Sequence, residues 1–150
     1  MIVISPWNAG PDAAPPAESL TQLWLSATLT THDFLDSAMI AALYPQVRDL
    51  YLPAVEVWLA HDARGRLLGF SGLRESKVEM LFVAPAAHGQ GVGTALLDHA
   101  RARLGSLTLD VNEQNPRAHG FYLHYGFVET GRSPLDAAGR PFPLVHLRLP

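Results

Sequence analysis

Apolar residues recur along the chain at two spacings, and each implies a different element. Leu20, Leu23, Trp24 and Ala27 follow helical spacing. A second helical stretch carries Phe34, Leu35, Ala38, Met39, Ala42 and Leu43. Pro45 interrupts it, and Val47, Leu50 and Tyr51 continue it after a bend. From Pro53 to Ala60 the period changes to two: Val55, Val57 and Leu59 alternate with Glu56 and Trp58, as in a strand. Asp62-Ala-Arg-Gly65 reads as a turn, so Leu67 to Leu73 returns as the second strand of a hairpin. Val78 to Val83 is a further strand, stopped by Pro85. Val92, Leu96, Ala100 and Leu104 then repeat every four residues as the buried stripe of a helix, which Gly105 ends. Leu107 to Val111 is a strand. Asn115 to Tyr125 is a helix with Pro116 in its first turn, ended by Gly126. Phe127 to Thr130 begins another strand, Asp136-Ala-Ala-Gly139 is a turn, and Phe142 to Leu149 is the last strand. At the start, Met1 to Ser5 reads as a short strand and Pro6 to Ala17, with four prolines, as a loop.

Strands and helices in this order predict an α/β fold. The central sheet is mixed and largely antiparallel, of about six to seven strands, because hairpins dominate its first half, and helices flank it on both sides. No internal repeat or second core is visible, so residues 1–150 read as one domain, with 6–17 as a loop.

Composition narrows the function classes. Apolar residues make up 48% of the chain and charged ones 17%, which suits a packed core rather than disorder. A net charge of −3 supplies no basic field for a nucleic-acid backbone, so no nucleic-acid partner is expected. No apolar run approaches the roughly 20 residues of a membrane span. Met1 to Ser5 lacks the basic and long apolar regions of a signal peptide. The absence of cysteine excludes a disulfide framework, a cysteine zinc site and a cysteine nucleophile, and suits a cytoplasmic protein. His61, His88, His99, His119, His124 and His146 show no metal-ligand spacing, so no metal is expected.

The strongest local signal runs from Met80 to Leu97: strand, tight loop, helix. Gly89, Gly91 and Gly93 alternate where the chain turns. Backbone N–H groups of Gly89, Gly91, Gly93 and Thr94 can then point outward together and, with the positive end of the helix dipole, cradle an anion such as a pyrophosphate. A tight turn alone explains the glycines less well, because each costs stability unless the backbone must approach something. A P-loop needs a Gly-Lys-Ser/Thr ending, and the segment has no lysine. A dinucleotide fingerprint needs a third glycine where Thr94 stands, which argues against a nucleotide-dependent oxidoreductase.

Val83-x-Pro85, then His88-x-x-Gly91-x-Gly93, then Asn115-x-x-Ala118-x-x-Phe121-Tyr122-x-x-Tyr125-Gly126-Phe127 resemble the signature regions of the GNAT superfamily of N-acetyltransferases. Thr31-His-Asp-Phe-Leu35, Val111-Asn-Glu-Gln-Asn115 and Thr130-Gly-Arg-Ser133 resemble, within it, the bacterial YjaB-type group. His88 departs from the arginine or glutamine of the wider pattern, which touches one side-chain contact and leaves the backbone cradle intact. The resemblance implies acetyl-CoA as cosubstrate and direct attack of a primary amine on its thioester. The acceptor is a protein lysine or a small-molecule amine, and the protein a monomer or homodimer. The alternative is a non-catalytic acyl-CoA sensor with the same fold.

By the same resemblance, acetyl-CoA lies along Leu81, Phe82 and Val83, over His88, Gly89, Gln90, Gly91, Val92, Gly93 and Thr94, and against Asn115 and Tyr122. The strand ending at Val83 and the Leu107–Val111 strand splay apart to admit it. Asn115 reads equally as a plain helix N-cap. Tyr122, two turns after Asn115 on the same helix face, is the candidate general acid for the leaving thiolate; spacing alone fits an aromatic core pair with Phe121 as well. Glu79 is the candidate base, placed by strand period on the face of Val83, or else a solvent-facing strand residue. His32, Asp33 and Phe34 fall in the region that walls the acceptor side in the family. Asp33 or Thr31 also suits the N-cap of the second helix.

Overall fold

A computed structural model describes residues 1–150. Its strands are β1 (Val3–Trp7), β2 (Glu56–His61), β3 (Leu67–Arg74), β4 (Lys77–Val83), β5 (Leu107–Asn112), β6 (Val128–Ser133) and β7 (Leu144–Leu149). They form one seven-stranded sheet in the order β1-β2-β3-β4-β5-β7-β6. Every neighbouring pair is antiparallel except β4 and β5, so the expected mixed, largely antiparallel sheet is found. The helices are α1 (Ala17–Thr31), α2 (Ser37–Gln46), the short α3 (Leu52–Ala54), α4 (Val92–Leu104) and α5 (Pro116–Tyr125). No helix is long and apolar enough to cross a membrane.

The sheet separates two cores. On one face Leu20, Leu23 and Trp24 of α1 and Ile40 of α2 pack with Val57, Leu59, Phe70 and Met80. On the other, Leu97 and Ala100 of α4 pack with Leu73, Val78, Leu107, Leu109, Val111 and the inward residues of β7. Val92 and Leu96 extend this second layer over Ala60 and Ala87. The periodicities of α1, α4 and the strands therefore mark buried stripes, but that of α2 does not: Phe34 and Leu35 precede the helix, Ala38 and Ala42 are exposed, and Ile40 is its buried residue.

Four local expectations change. β1 continues through Pro6 to Trp7. It is a sheet edge, where a missing N–H is tolerated. Trp7 is buried, and its indole donates to the Pro15 carbonyl at 2.7 Å, tying down the proline-rich segment. The second helix starts at Ser37, capped by Asp36, whose Oδ1 accepts from the Met39 N–H at 2.7 Å. Neither Asp33 nor Thr31 caps it: Thr31 still belongs to α1, and its hydroxyl donates back to the Ala27 carbonyl. Pro45 lies within α2, and a wide π turn at Val47–Tyr51 follows, leaving Leu50 and Tyr51 exposed. Residues 52–54 are helical, so β2 begins only at Glu56.

Two irregularities shape the site. Gly72 pairs with Met80 and Leu73 with Val78, so Glu79 is an unpaired bulge residue. Val78 and Met80, two apart, consequently enter opposite cores. The second irregularity lies between β4 and β5, which pair only at Lys77 and Thr108.

Asp36→Ala removes the α2 cap without touching either core. It should lower unfolding free energy by about 1 kcal/mol, with an unchanged denaturant slope in urea titration. A stability equal to wild type would show that the cap contributes nothing.

Candidate active site

Beyond the Lys77–Thr108 pair the facing edges of β4 and β5 have no ladder partner. They open into a cleft of about 820 Å³, walled by both strands, the start of α4, one face of α5 and the end of α1. Of the expected cofactor residues, Leu81, Phe82, Val83, His88, Gly89, Gly91, Val92, Gly93, Thr94, Asn115 and Tyr122 all line it. Gln90 does not; its side chain turns away to donate to the Ala86 carbonyl.

The loop before α4 has the properties of an anion cradle. The His88 N–H donates to Pro85, and that of Ala95 to Gly91. The N–H groups of residues 89–94 between them have no acceptor within the protein. They sit at the positive end of a 13-residue helix. The three glycines have two causes. Gly89 and Gly91 hold φ of 77° and 82°, which side chains other than glycine rarely adopt. Gly93 is helical, and a Cβ there would stand 3.0 Å from Phe121 Cζ, so it permits α5 to approach.

Asn115 is buried and caps α5, its Oδ1 accepting from the Ala118 N–H at 3.3 Å. Its Nδ2 has no acceptor in the protein and its residue lines the cleft, so capping and ligand contact are compatible. Tyr122 likewise joins both readings. Its ring packs against Phe121 and Phe127, with centroids 5.4 and 5.7 Å apart. The residue still lines the cleft, and burial holds its hydroxyl well above the ordinary phenol range.

Glu79 also lines the cleft, by a route that the strand period misses. The bulge reverses parity. Val83 packs on the α4 side with Val92 and Leu96. Glu79 instead lies 3.8 Å from Nζ of Lys77, on the side of Asp110. The expectation that Glu79 and Val83 share a face is therefore corrected.

His32 lines the cleft at the end of α1. The single proton of the Thr31 hydroxyl goes to Ala27, so its oxygen accepts from His32 Nδ1–H at 2.8 Å. That leaves the Nε2 lone pair free. Burial lowers the His32 pKa, Asp33 opposing, so the ring stays neutral to lower pH than usual. Asp33 and Phe34 fall outside the lining. Phe34 contacts His32 and Phe142, each at 5.3 Å between centroids, and so joins the loop after α1 to the segment before β7.

A polar chain on the sheet escaped the sequence reading. Lys77 Nζ donates to Asp110 Oδ2 at 2.9 Å, His146 Nδ1 bonds Asp110 Oδ1 at 2.6 Å, and Ser133 Oγ bonds His146 Nε2 at 2.7 Å. Asp110 lines the cleft, as does Arg117 on α5. The available signal was Asp110 as the charged position in the alternation of Leu107, Leu109 and Val111.

Sequence and structure comparisons agree with this geometry. Residues 53–129 match the acetyltransferase (GNAT) domain family. The chain is 41% identical to the peptidyl-lysine N-acetyltransferase YjaB of Salmonella typhimurium over 133 residues, covering 89% of this chain and 91% of that one. It is 40% identical to YjaB of Escherichia coli, covering 87% and 88%. The solution structure of apo YjaB from Escherichia coli superposes with a TM-score of 0.87, at 36% identity, covering 99% and 97%. The chain belongs to the GNAT family and is an acetyl-CoA-dependent N-acetyltransferase acting on an amine. A non-catalytic sensor finds no support among these relatives, which are named as enzymes.

Gly91→Val forces a β-branched residue to positive φ and should abolish acetyl-CoA binding by calorimetry. A folded variant with unchanged affinity would remove the loop from the cofactor site. His88→Ala deletes only one side-chain hydrogen bond, worth roughly 0.5–1.5 kcal/mol, and should weaken binding about tenfold or less. A loss of several hundredfold would place the main pyrophosphate contact on the side chain.

Proposed function

We propose that the enzyme transfers the acetyl group to the side-chain amine of a lysine in a protein or peptide. The observation that carries this reading is the charge beside the cleft. Glu79 and Asp110 lie within ion-pair distance of a single lysine ammonium, that of Lys77. A second lysine head group suits the same chemistry. The peptidyl-lysine names of the relatives point the same way. The absence of cysteine supports a cytoplasmic setting, and the fold is read as a single domain.

Acetyl-CoA supplies the activated acetyl thioester. The free N–H groups of residues 89–94 hold its pyrophosphate, assisted by the α4 dipole and the Arg117 guanidinium. The unpaired β4 edge at Leu81–Val83 and Asn115 Nδ2 hydrogen-bond the amide-rich arm. A β4 N–H near Val83 polarises the thioester oxygen. Glu79 takes the proton that an incoming ammonium must lose before its nitrogen can attack, and His32, with its free Nε2, is a second base in the same cleft. Tyr122, kept protonated by burial, donates to the departing sulfur as charge develops there and regains a proton from solvent.

Tyr122→Phe keeps the ring contacts with Phe121 and Phe127 and deletes only the hydroxyl. Melting temperature and acetyl-CoA affinity should change little, while kcat on a lysine peptide falls by roughly 10²-fold. Undiminished turnover with chemistry rate-limiting would exclude Tyr122 from the reaction and leave water as the acid.

A further inference from the structure

His32 closes α1, and all but one of its polar atoms have a partner in the protein. Its N–H donates to the Thr28 carbonyl at 2.8 Å, and its carbonyl accepts from the Leu35 N–H at 3.2 Å. Nδ1–H donates to Thr31 Oγ1 at 2.8 Å, and that hydroxyl is itself tied to the Ala27 carbonyl at 2.8 Å. Phe34 packs on the ring and is backed in turn by Phe142. Only Nε2 makes no hydrogen bond in the protein, and it is not sealed from solvent. Ala27, Thr31 and His32 all line the cleft.

Strand register shows which end of the cleft they reach. Trp7 lies level with Met80, through Val57 and Gly72. Trp7 bonds Pro15, so α1 starts at that level. The same helix packs on the Pro85–Ala87 turn, beyond Val83. Its later turns therefore run toward the Val83 end of β4, and Thr31 and His32 enter the cleft on that side. Glu79 lies four residues back along β4.

We propose that Thr31 is a positioning residue, holding His32 in the Nδ1–H form so that Nε2 takes a proton from the acetylated nitrogen. The inference rests on the amine-acetylation reading above, in which His32 is a second base. An acceptor ammonium loses two protons in becoming an amide. Glu79 takes the first, and the nitrogen lone pair then bonds to the acetyl carbonyl carbon. The nitrogen, now cationic, gives its second proton to Nε2. The C–S bond breaks with its electron pair staying on sulfur, which is protonated through Tyr122. Glu79 and His32 return their protons to solvent, and Tyr122 takes one back.

The surroundings suit both states of the ring. Burial keeps the resting imidazole neutral, as a proton acceptor must be, against the charge of Asp33. The imidazolium then stands at the C-terminal end of α1, where the helix dipole favours a cation. No group other than Thr31 bonds Nδ1. Without that oxygen the ring proton is free to move to Nε2, which takes the lone pair away from the cleft.

The test reads the tautomer and the rate in the full chain. Proton–nitrogen correlation spectra of histidine rings tell a protonated nitrogen from a bare one. Among the seven histidines, the His32 signals are those missing from His32→Gln. Above the ordinary imidazole pKa, wild-type His32 should carry its proton on Nδ1, and Thr31→Val should shift it toward Nε2. A wild-type ring protonated on Nε2 would overturn the proposal whatever the acceptor. On a lysine peptide, Thr31→Val should lower kcat by about three- to tenfold, as the loss of one hydrogen bond implies. Acetyl-CoA affinity and melting temperature should change little, and Thr31→Ser should restore the rate. His32→Gln should lower kcat by roughly 10²-fold, and adding Thr31→Val to it should cost nothing further. Undiminished kcat in Thr31→Val with chemistry rate-limiting, or full additivity in the double variant, would make Thr31 a packing residue and overturn the proposal. Thr31→Ala takes its place if Thr31→Val does not fold. Turnover of a small amine but of no lysine peptide would count against the lysine acceptor alone, and the same variants then decide the role of Thr31 on that amine.

Discussion

The site depends on a ladder that stops. β4 and β5 are parallel neighbours, yet they pair at one position and then separate. Each strand is held by its other neighbour, β3 for β4 and β7 for β5, through long antiparallel registers. The two halves of the sheet therefore stay rigid while a slot opens between them. Backbone groups facing a slot remain polar and need partners. An extended cofactor arm rich in amides can supply them, much as an added strand would.

The cradle at the end of α4 follows from the same divergence. β4 delivers the chain to the mouth of the slot at Val83, and the following turn must reverse it into a helix packed behind the sheet. Gly89 and Gly91 make that reversal through positive φ. The N–H groups of residues 89–94 are left without internal acceptors at a helix N-terminus. Gly93 then lets Phe121 approach, bringing α5, with Asn115 and Tyr122, to the opposite wall. One loop thus supplies the anion cradle and the packing that positions the candidate acid.

Electrostatics divides the cleft into two ends. The cradle and Arg117 suit an anion, whereas Glu79 and Asp110 suit a cation, and both sets line the same cavity. This polarity fits a reaction between an anionic donor and an ammonium acceptor. The Glu79 bulge is central to it, since regular β4 pairing would place that carboxylate with the α4-side core rather than beside Lys77 and Asp110.

The sequence by itself determined what local physics controls. The periods of α1, α4 and the strands marked stripes that become the two cores, Gly105 and Gly126 marked helix ends, and the alternating glycines marked the cradle, because each depends on residues close in the chain. Tertiary structure decided what depends on distant partners. The parity of Glu79 follows from a mismatch between β3 and β4, which no period within β4 reports. Gly93 owes its identity to Phe121 on another helix. The start of α2 went to Asp36 rather than Asp33 because α1 extends to Thr31 and leaves the next residues as a connecting loop. Lys77, Asp110 and His146 meet across sequence separations of 33 and 36 residues. Only the order in which the strands assemble brings such charges together.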